Sequence, residues 1–145
     1  MAVLRRFHRP GLWVAGWLAL LAIVAAGSLV PASELPQVQL PGLDKLQHAA
    51  AHAVLGSYAM MLFASRPGRV CAVAGLLAYG IGIELAQAGL TADRMAEWGD
   101  VLANAIGTGL GVAFTRGRPA RLLQRIDARL PGAGRDDRPG QAPGA

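Results

Sequence analysis

Apolar residues run almost unbroken through four stretches of the chain, and polar residues collect in the gaps and at a few points inside the stretches. Residues 11–30 carry no charge, 47–64 are interrupted only near their start, 70–90 hold Glu84 and Gln87 near their end, and 99–114 are short and glycine-rich. About 20 apolar residues in a helix match the hydrocarbon thickness of a bilayer. The pattern predicts an all-α, polytopic membrane protein whose four transmembrane helices form one small bundle over residues 1–117. Beyond it the period changes. Leu122, Leu123, Ile126 and Leu130 share a face beside Arg121, Arg125 and Arg129, which predicts a basic amphipathic helix over 118–130 lying on an anionic leaflet. Residues 131–145, PGAGRDDRPGQAPGA, have nothing to bury and are expected to be a disordered tail.

Charge orients the spans. Of 14 Lys and Arg residues, all but Lys45 and Arg94 fall before the first stretch, between the second and third, or after the fourth. Basic residues stay on the cytoplasmic side. Both termini are therefore expected in the cytoplasm, with residues 31–45 and 91–98 outside. A secretory signal is the rival reading of 11–30, since Arg5 and Arg6 precede it and Val30-Pro31-Ala32 loosely matches a cleavage site. The run exceeds the usual signal core of about 7–15 residues, and proline suits the triplet badly. A retained span is expected.

Composition agrees. The chain is 53% hydrophobic and 16% charged, with a net charge of +5, unlike an ordinary soluble domain. The arginines form no stripe among aromatics, so nucleic acid is not an expected partner. Membrane lipids are, and a homo-oligomer is compatible with this layout. The one cysteine, Cys71, excludes an internal disulfide and reads as a small packing residue. Ala103, Gly107 and Gly111, and likewise Ala78 and Gly82, form small-residue stripes that read as close helix contacts.

The chemistry lies in polar groups carried into apolar stretches. On the expected topology Asp44, His48 and His52 share a face of span two, Glu84 and Gln87 a face of span three, and Asp100 and Asn104 a face of span four. Glu84 would lie roughly 9 Å below the end of its span, with His48 and Asn104 roughly 6 Å below their aspartates. An ionisable group in hydrocarbon costs a few kcal/mol unless it faces a protein interior or water. His48 and Glu84 are the candidate acid/base pair, and Asp44, Lys45, Gln87, Arg94, Asp100 and Asn104 are candidate ligand contacts. Each has a plainer reading: Asp44 and Asp100 as helix caps, Gln87 and Asn104 as interhelical bonds. His48 and His52 offer H-x-x-x-H spacing without the further donors of a strong metal motif, so neither metal nor cofactor is expected.

D-K-x-x-H at Asp44, Lys45 and His48, E-x-x-Q at Glu84 and Gln87, then Arg94, then D-x-x-x-N-x-x-G at Asp100, Asn104 and Gly107 resembles the VanZ-like family in order and spacing across residues 43–111. The resemblance implies a small multi-span protein of the bacterial cytoplasmic (inner) membrane that faces the cell envelope. The family's founding member is associated with low-level resistance to the glycopeptide teicoplanin, and no reaction is implied. The chain departs from the pattern at His52, where an aromatic is frequent, and at Glu97, where a small polar residue is frequent.

Three functions compete. One is an outer-leaflet site that binds, or binds and modifies, a lipid-linked envelope component, with Lys45 and Arg94 holding a phosphate or carboxylate and His48 and Glu84 carrying protons. The second is a non-catalytic module in which the polar groups only lock helices together. The third, a proton-coupled exporter, conflicts with placement, because transporters keep their coupling site near the midplane.

Overall fold

The computed structural model describes residues 2–30, 42–90 and 97–131. They form α1 (Pro10–Ser28), α2 (Leu43–Leu62), α3 (Arg66–Leu90), α4 (Trp98–Phe114) and, after a 3-10 turn at Pro119–Arg121, α5 (Leu122–Asp127). The described residues are all-helical, apart from one isolated antiparallel bridge between Leu4 and Phe63. Local chemistry sets the boundaries. Pro10 opens α1, where its missing N–H costs nothing. Gly42 precedes α2 at φ 76, a left-handed conformation that glycine adopts without strain. Ser65 caps α3 by accepting the Gly68 N–H at 3.1 Å.

Side-chain bonds between helices fix their directions. His48 pairs with Asn104 and His52 with Thr108, so α2 and α4 run parallel at a constant offset. Glu84 of α3 faces His48, and Gly80 lies against His52, so α3 runs antiparallel to α2. Tyr79 donates to the Leu21 carbonyl and Gln87 to the Ser28 carbonyl, which sets α1 parallel to α3. At one end gather residues 4–9, the end of α2, the start of α3 and α5. At the other lie Ser28, Lys45, Gln87 and Asp100.

The α2–α4 seam is the tightest in the fold. A Cβ on Gly107 would strike the Ala49 carbonyl, and one on Gly111 the Ala53 carbonyl. The small-residue stripe of α4 therefore packs as expected. That of α3 does not: Ala78 is exposed and Gly82 has nothing within 4 Å of an added Cβ. The glycine of α3 that packs against α2 and α4 is Gly80, whose Cβ would meet Asn104 and His52 at 3.1 Å. Leu55, Ala59, Met60, Ala72 and Leu76 make the apolar core, with Trp17, Leu21 and Phe63 against it. α1 buries no residue. It is held through its backbone, since the carbonyls of Trp13, Leu21 and Ser28 accept from Tyr58, Tyr79 and Gln87.

Polarity runs against the soluble pattern. Ile23, Leu85, Leu102 and Phe114 are exposed, whereas His52, Glu84, Gln87, Asn104 and Thr108 are buried. Two helices, α1 and α3, are long and apolar enough to cross a membrane. α2 is diluted by Asp44, Lys45, Gln47, His48 and His52, and α4 has only 17 residues.

Two expectations are corrected here. Cys71 is exposed on α3 instead of packed. The stretch 118–130 is not one amphipathic helix but a 3-10 turn followed by a six-residue α5. Its apolar face divides: Leu123 is buried with Ala120, while Leu122 and Ile126 are exposed. The cause is Asp127, buried against the N-terminal segment, where its carboxylate accepts the Trp13 indole N–H at 3.0 Å and the His8 backbone N–H. Gln124 adds a bond to the Arg6 carbonyl. Of the expected tail, residues 132–145 lie outside the described residues.

Candidate functional site

Three helices deliver the polar cluster. The α2–α4 seam is close because Gly107 and Gly111 have no side chains, and this brings the histidines of α2 within reach of the polar residues of α4. His48 Nδ1 lies 3.2 Å from Asn104 Oδ1 and 3.6 Å from Glu84 Oε1. One turn deeper, His52 Nδ1 lies 3.2 Å from Thr108 Oγ1. The Thr108 hydroxyl already donates to the Asn104 carbonyl at 2.9 Å. Its oxygen can then only accept, so His52 carries its proton on Nδ1. The two histidines form successive rungs, and the H-x-x-x-H pair does not converge on one point.

Glu84 is the most constrained group. Its side chain is 2% exposed, against 11% for His48. Neither carboxylate oxygen accepts a hydrogen bond of sound geometry among the described residues, and Asn104 Nδ2 is likewise unpartnered. A buried polar group left so costs roughly 1–3 kcal/mol, more when charged. With Nδ1 protonated, His48 donates to Asn104 Oδ1, and Glu84 stands beside that nitrogen at ion-pair distance without accepting its proton. The His48 Nε2 is then the basic atom of a Glu–His pair, oriented from behind as general bases commonly are.

At the mouth of the cluster sits Lys45. Its ammonium lies 2.9 Å from Glu97, 3.1 Å from Asp44 and 3.4 Å from Asp100. Hydrogen bonds to Glu97 and then Asp44 hold the Lys45 ammonium well above its ordinary pKa. The Lys45 backbone N–H, and after it the Lys45 side chain, draw Asp44 below the usual carboxylate value, with slight burial opposing. Lys45, expected to clamp a phosphate, joins the starts of α2 and α4 as the counter-ion of these three carboxylates. Glu97 supplies its shortest contact. Neither aspartate is a cap: Gly42 and Glu97 hold the N-cap positions, and Asp44 and Asp100 sit in the first turns, where the helix dipole favours negative charge.

His48, Glu84 and Asp100 each bring one possible ligand atom within 4.8 Å of the others, and Asp44, Glu97 and Asp100 do the same. In the second group the Lys45 ammonium already provides the positive charge. Of the remaining candidates, Gln87 is buried and donates to the Ser28 carbonyl at 2.8 Å. Arg94 lies outside the described residues. Thr108 and Gly80 escaped the sequence reading. A threonine in a span looks ordinary because it can bond its own helix, and only the i+4 repeat of His48/His52 against Asn104/Thr108 could have pointed to it.

Compared with known proteins, the chain matches no family model, no curated protein and no solved structure.

Proposed function

We propose that the chain is a VanZ-like, four-span protein of the bacterial cytoplasmic membrane whose outer-leaflet site binds the headgroup of a lipid-linked cell-envelope component. The observation that carries this reading is the convergence of half-buried His48 with buried Glu84, Asp100 and Asn104 from three helices, in a bundle whose outside is apolar. Such groups are kept against their desolvation cost, and a functional role is the default reading of ionisable residues in that setting. The exposed leucines, isoleucines and phenylalanine of α1–α4 support spans for all four helices, as does the separation of Lys45, Asp44, Glu97 and Asp100 from the arginine-rich end.

The charge balance selects the ligand chemistry. Asp44, Glu97 and Asp100 already occupy the one lysine, and Glu84 faces His48 instead. Glu84 offers acceptors and Asn104 Nδ2 a donor. A hydroxyl-rich headgroup, as on a sugar-bearing lipid, would satisfy both once the helices part to admit it, since both are enclosed in the closed bundle. Arg94 remains the proposed contact to the ligand's phosphate. His48 and Glu84 would carry the proton if the site modifies its ligand, His48 Nε2 receiving it while Glu84 stabilises the resulting imidazolium.

Lipid mass spectrometry on the full chain, gently extracted into detergent, tests the proposal. A glycosylated or polyprenyl lipid should be enriched over bulk membrane, and His48→Gln and Glu84→Gln should each lose that enrichment at unchanged melting temperature. Bulk lipid composition in the parent would overturn it. A second reading, helix locking, is favoured by the two-rung α2–α4 seam. Under it the same variants lose stability first, and any glycopeptide-susceptibility phenotype follows protein abundance.

A further inference from the structure

The opposite end of the bundle holds a cavity of about 820 Å³ whose lining includes Arg5, Arg66, Arg69, Arg116 and Arg121. Its remaining wall is mostly apolar, with Met60, Val73, Leu77 and Val112 reaching along the helices. A second cavity of about 580 Å³ shares Arg5 and Arg121 and adds Arg125. No carboxylate lines either cavity among the described residues. None of these arginines forms an ion pair among those residues: every ion pair there involves Lys45 or His48. Burial, and after it the like charges of Arg69 and Arg121, press the Arg5 guanidinium below its ordinary pKa. Backbone carbonyls hold two of the guanidinia: Arg5 donates to Met60 O and Arg69 to Phe63 O. Five like charges are thus gathered around one space with no counter-ion among the described residues.

We infer that this cavity binds the phosphate headgroup of an anionic phospholipid of the inner leaflet, with the acyl chains running along the Val73–Leu77 wall. Guanidinium forks suit phosphate oxygens, and basic pockets between spans on the cytoplasmic side favour anionic headgroups. The volume exceeds what a free phosphate fills and falls in the range of sites that enclose an organic ligand. The apolar wall has no use for a free ion. This inference rests on the four-span reading for its choice of a lipid, and it concerns the end remote from His48 and Glu84.

The test uses the full chain in nanodiscs and in detergent. Native mass spectrometry should show phosphatidylglycerol retained over phosphatidylcholine. Among the described residues the Arg66 and Arg116 side chains make no hydrogen bond, so Arg66→Gln with Arg116→Gln should keep the melting temperature. Retention of phosphatidylglycerol should fall roughly thirtyfold in that double variant. Arg118→Gln with Arg129→Gln removes the same charge outside the cavities and should change retention little. Equal losses in the two double variants would reduce the effect to a diffuse surface field and overturn the site. Displacement of lipid by millimolar inorganic phosphate would overturn the lipid as occupant. Flotation with pure phosphatidylcholine vesicles separates the two readings. A chain that floats but shows no preference for phosphatidylglycerol loses the pocket alone, and one that does not float loses the membrane reading and the pocket with it.

Discussion

Among the described glycines, Gly107→Ala places an added Cβ closest to the backbone of a neighbouring helix. The new Cβ would lie 2.8 Å from the Ala49 Cα and carbonyl carbon, besides meeting its oxygen. Carbon atoms rest at about 3.5–4.0 Å, so α2 and α4 must part by roughly 1 Å. The obstacle is backbone, and no rotamer relieves it. Overpacking of this kind costs about 1–3 kcal/mol. The same displacement stretches the His48–Asn104 and His52–Thr108 bonds, both 3.2 Å, out of bonding range. Interhelical bonds in membranes average about 0.6 kcal/mol each, so the total comes to about 2–4 kcal/mol. Gly109 supplies the control, because an added Cβ there has nothing within 4 Å. Equilibrium unfolding of the full chain by dodecyl sulfate titration in mixed micelles should place Gly107→Ala below Gly109→Ala by that amount, with ligand enrichment reduced as well. Two variants within about 0.5 kcal/mol of each other would mean that the α2–α4 approach is not as described.

Topology can be read by cysteine labelling in a Cys71→Ser background, which the exposure of Cys71 makes mild. Cysteines at Ser33 and Ala92 should react with an impermeant maleimide in intact cells, while one at Gln141 should not; labelling at 141 alone would invert the topology. The Lys45 knot has a defined pH window. Lys45, with its pKa raised, contributes below its unfolded value and loses that contribution as pH rises through the folded one; Asp44, with its pKa lowered, contributes above its unfolded value and loses it as pH falls through the folded one. The parent should therefore melt at a steady temperature between about pH 5 and 9, whereas Lys45→Met, left with three mutually repelling carboxylates, should gain stability on acidification from pH 7 to 5. Parallel melting curves would remove Lys45 from that role. Asp127→Ala should cost about 2 kcal/mol, since it leaves the Trp13 and His8 N–H groups unpaired. A red-shifted Trp emission should accompany it, and an unchanged spectrum with unchanged stability would refute the N-terminal anchor.

The positions of α1 to α4 were legible because apolar runs and their interruptions are properties of the chain itself. The gathering of Asp44, His48, Glu84, Asp100 and Asn104 at one end followed from helical spacing plus alternating direction, which needs no knowledge of packing. Partner choice was not legible. Lys45 looked like a free cation because Glu97 and Asp100 reach it only once α4 lies beside α2. Gly80 was indistinguishable from Gly82 without knowing which face of α3 meets the histidines. The division of the Leu122–Leu130 face had the same source: a buried aspartate, Asp127, ties α5 to the start of the chain through contacts more than a hundred residues apart.

The grip on α1 has a consequence for how much of this sequence is under constraint. Tyr58, Tyr79 and Gln87 all donate to carbonyl oxygens of α1, and every amino acid carries such an oxygen. The recognition information for docking this helix is therefore written largely on its neighbours. Outside Trp13 and Trp17, whose indoles reach Asp127 and Leu55, Gly16, which leaves room for the Tyr58 hydroxyl, and Leu20, Leu21 and Val24, which touch the core, α1 can drift among apolar residues without changing its berth. Comparisons across related chains would then find little shared identity in α1 beside well-kept donors at positions 58, 79 and 87, a pattern easily mistaken for a dispensable leader.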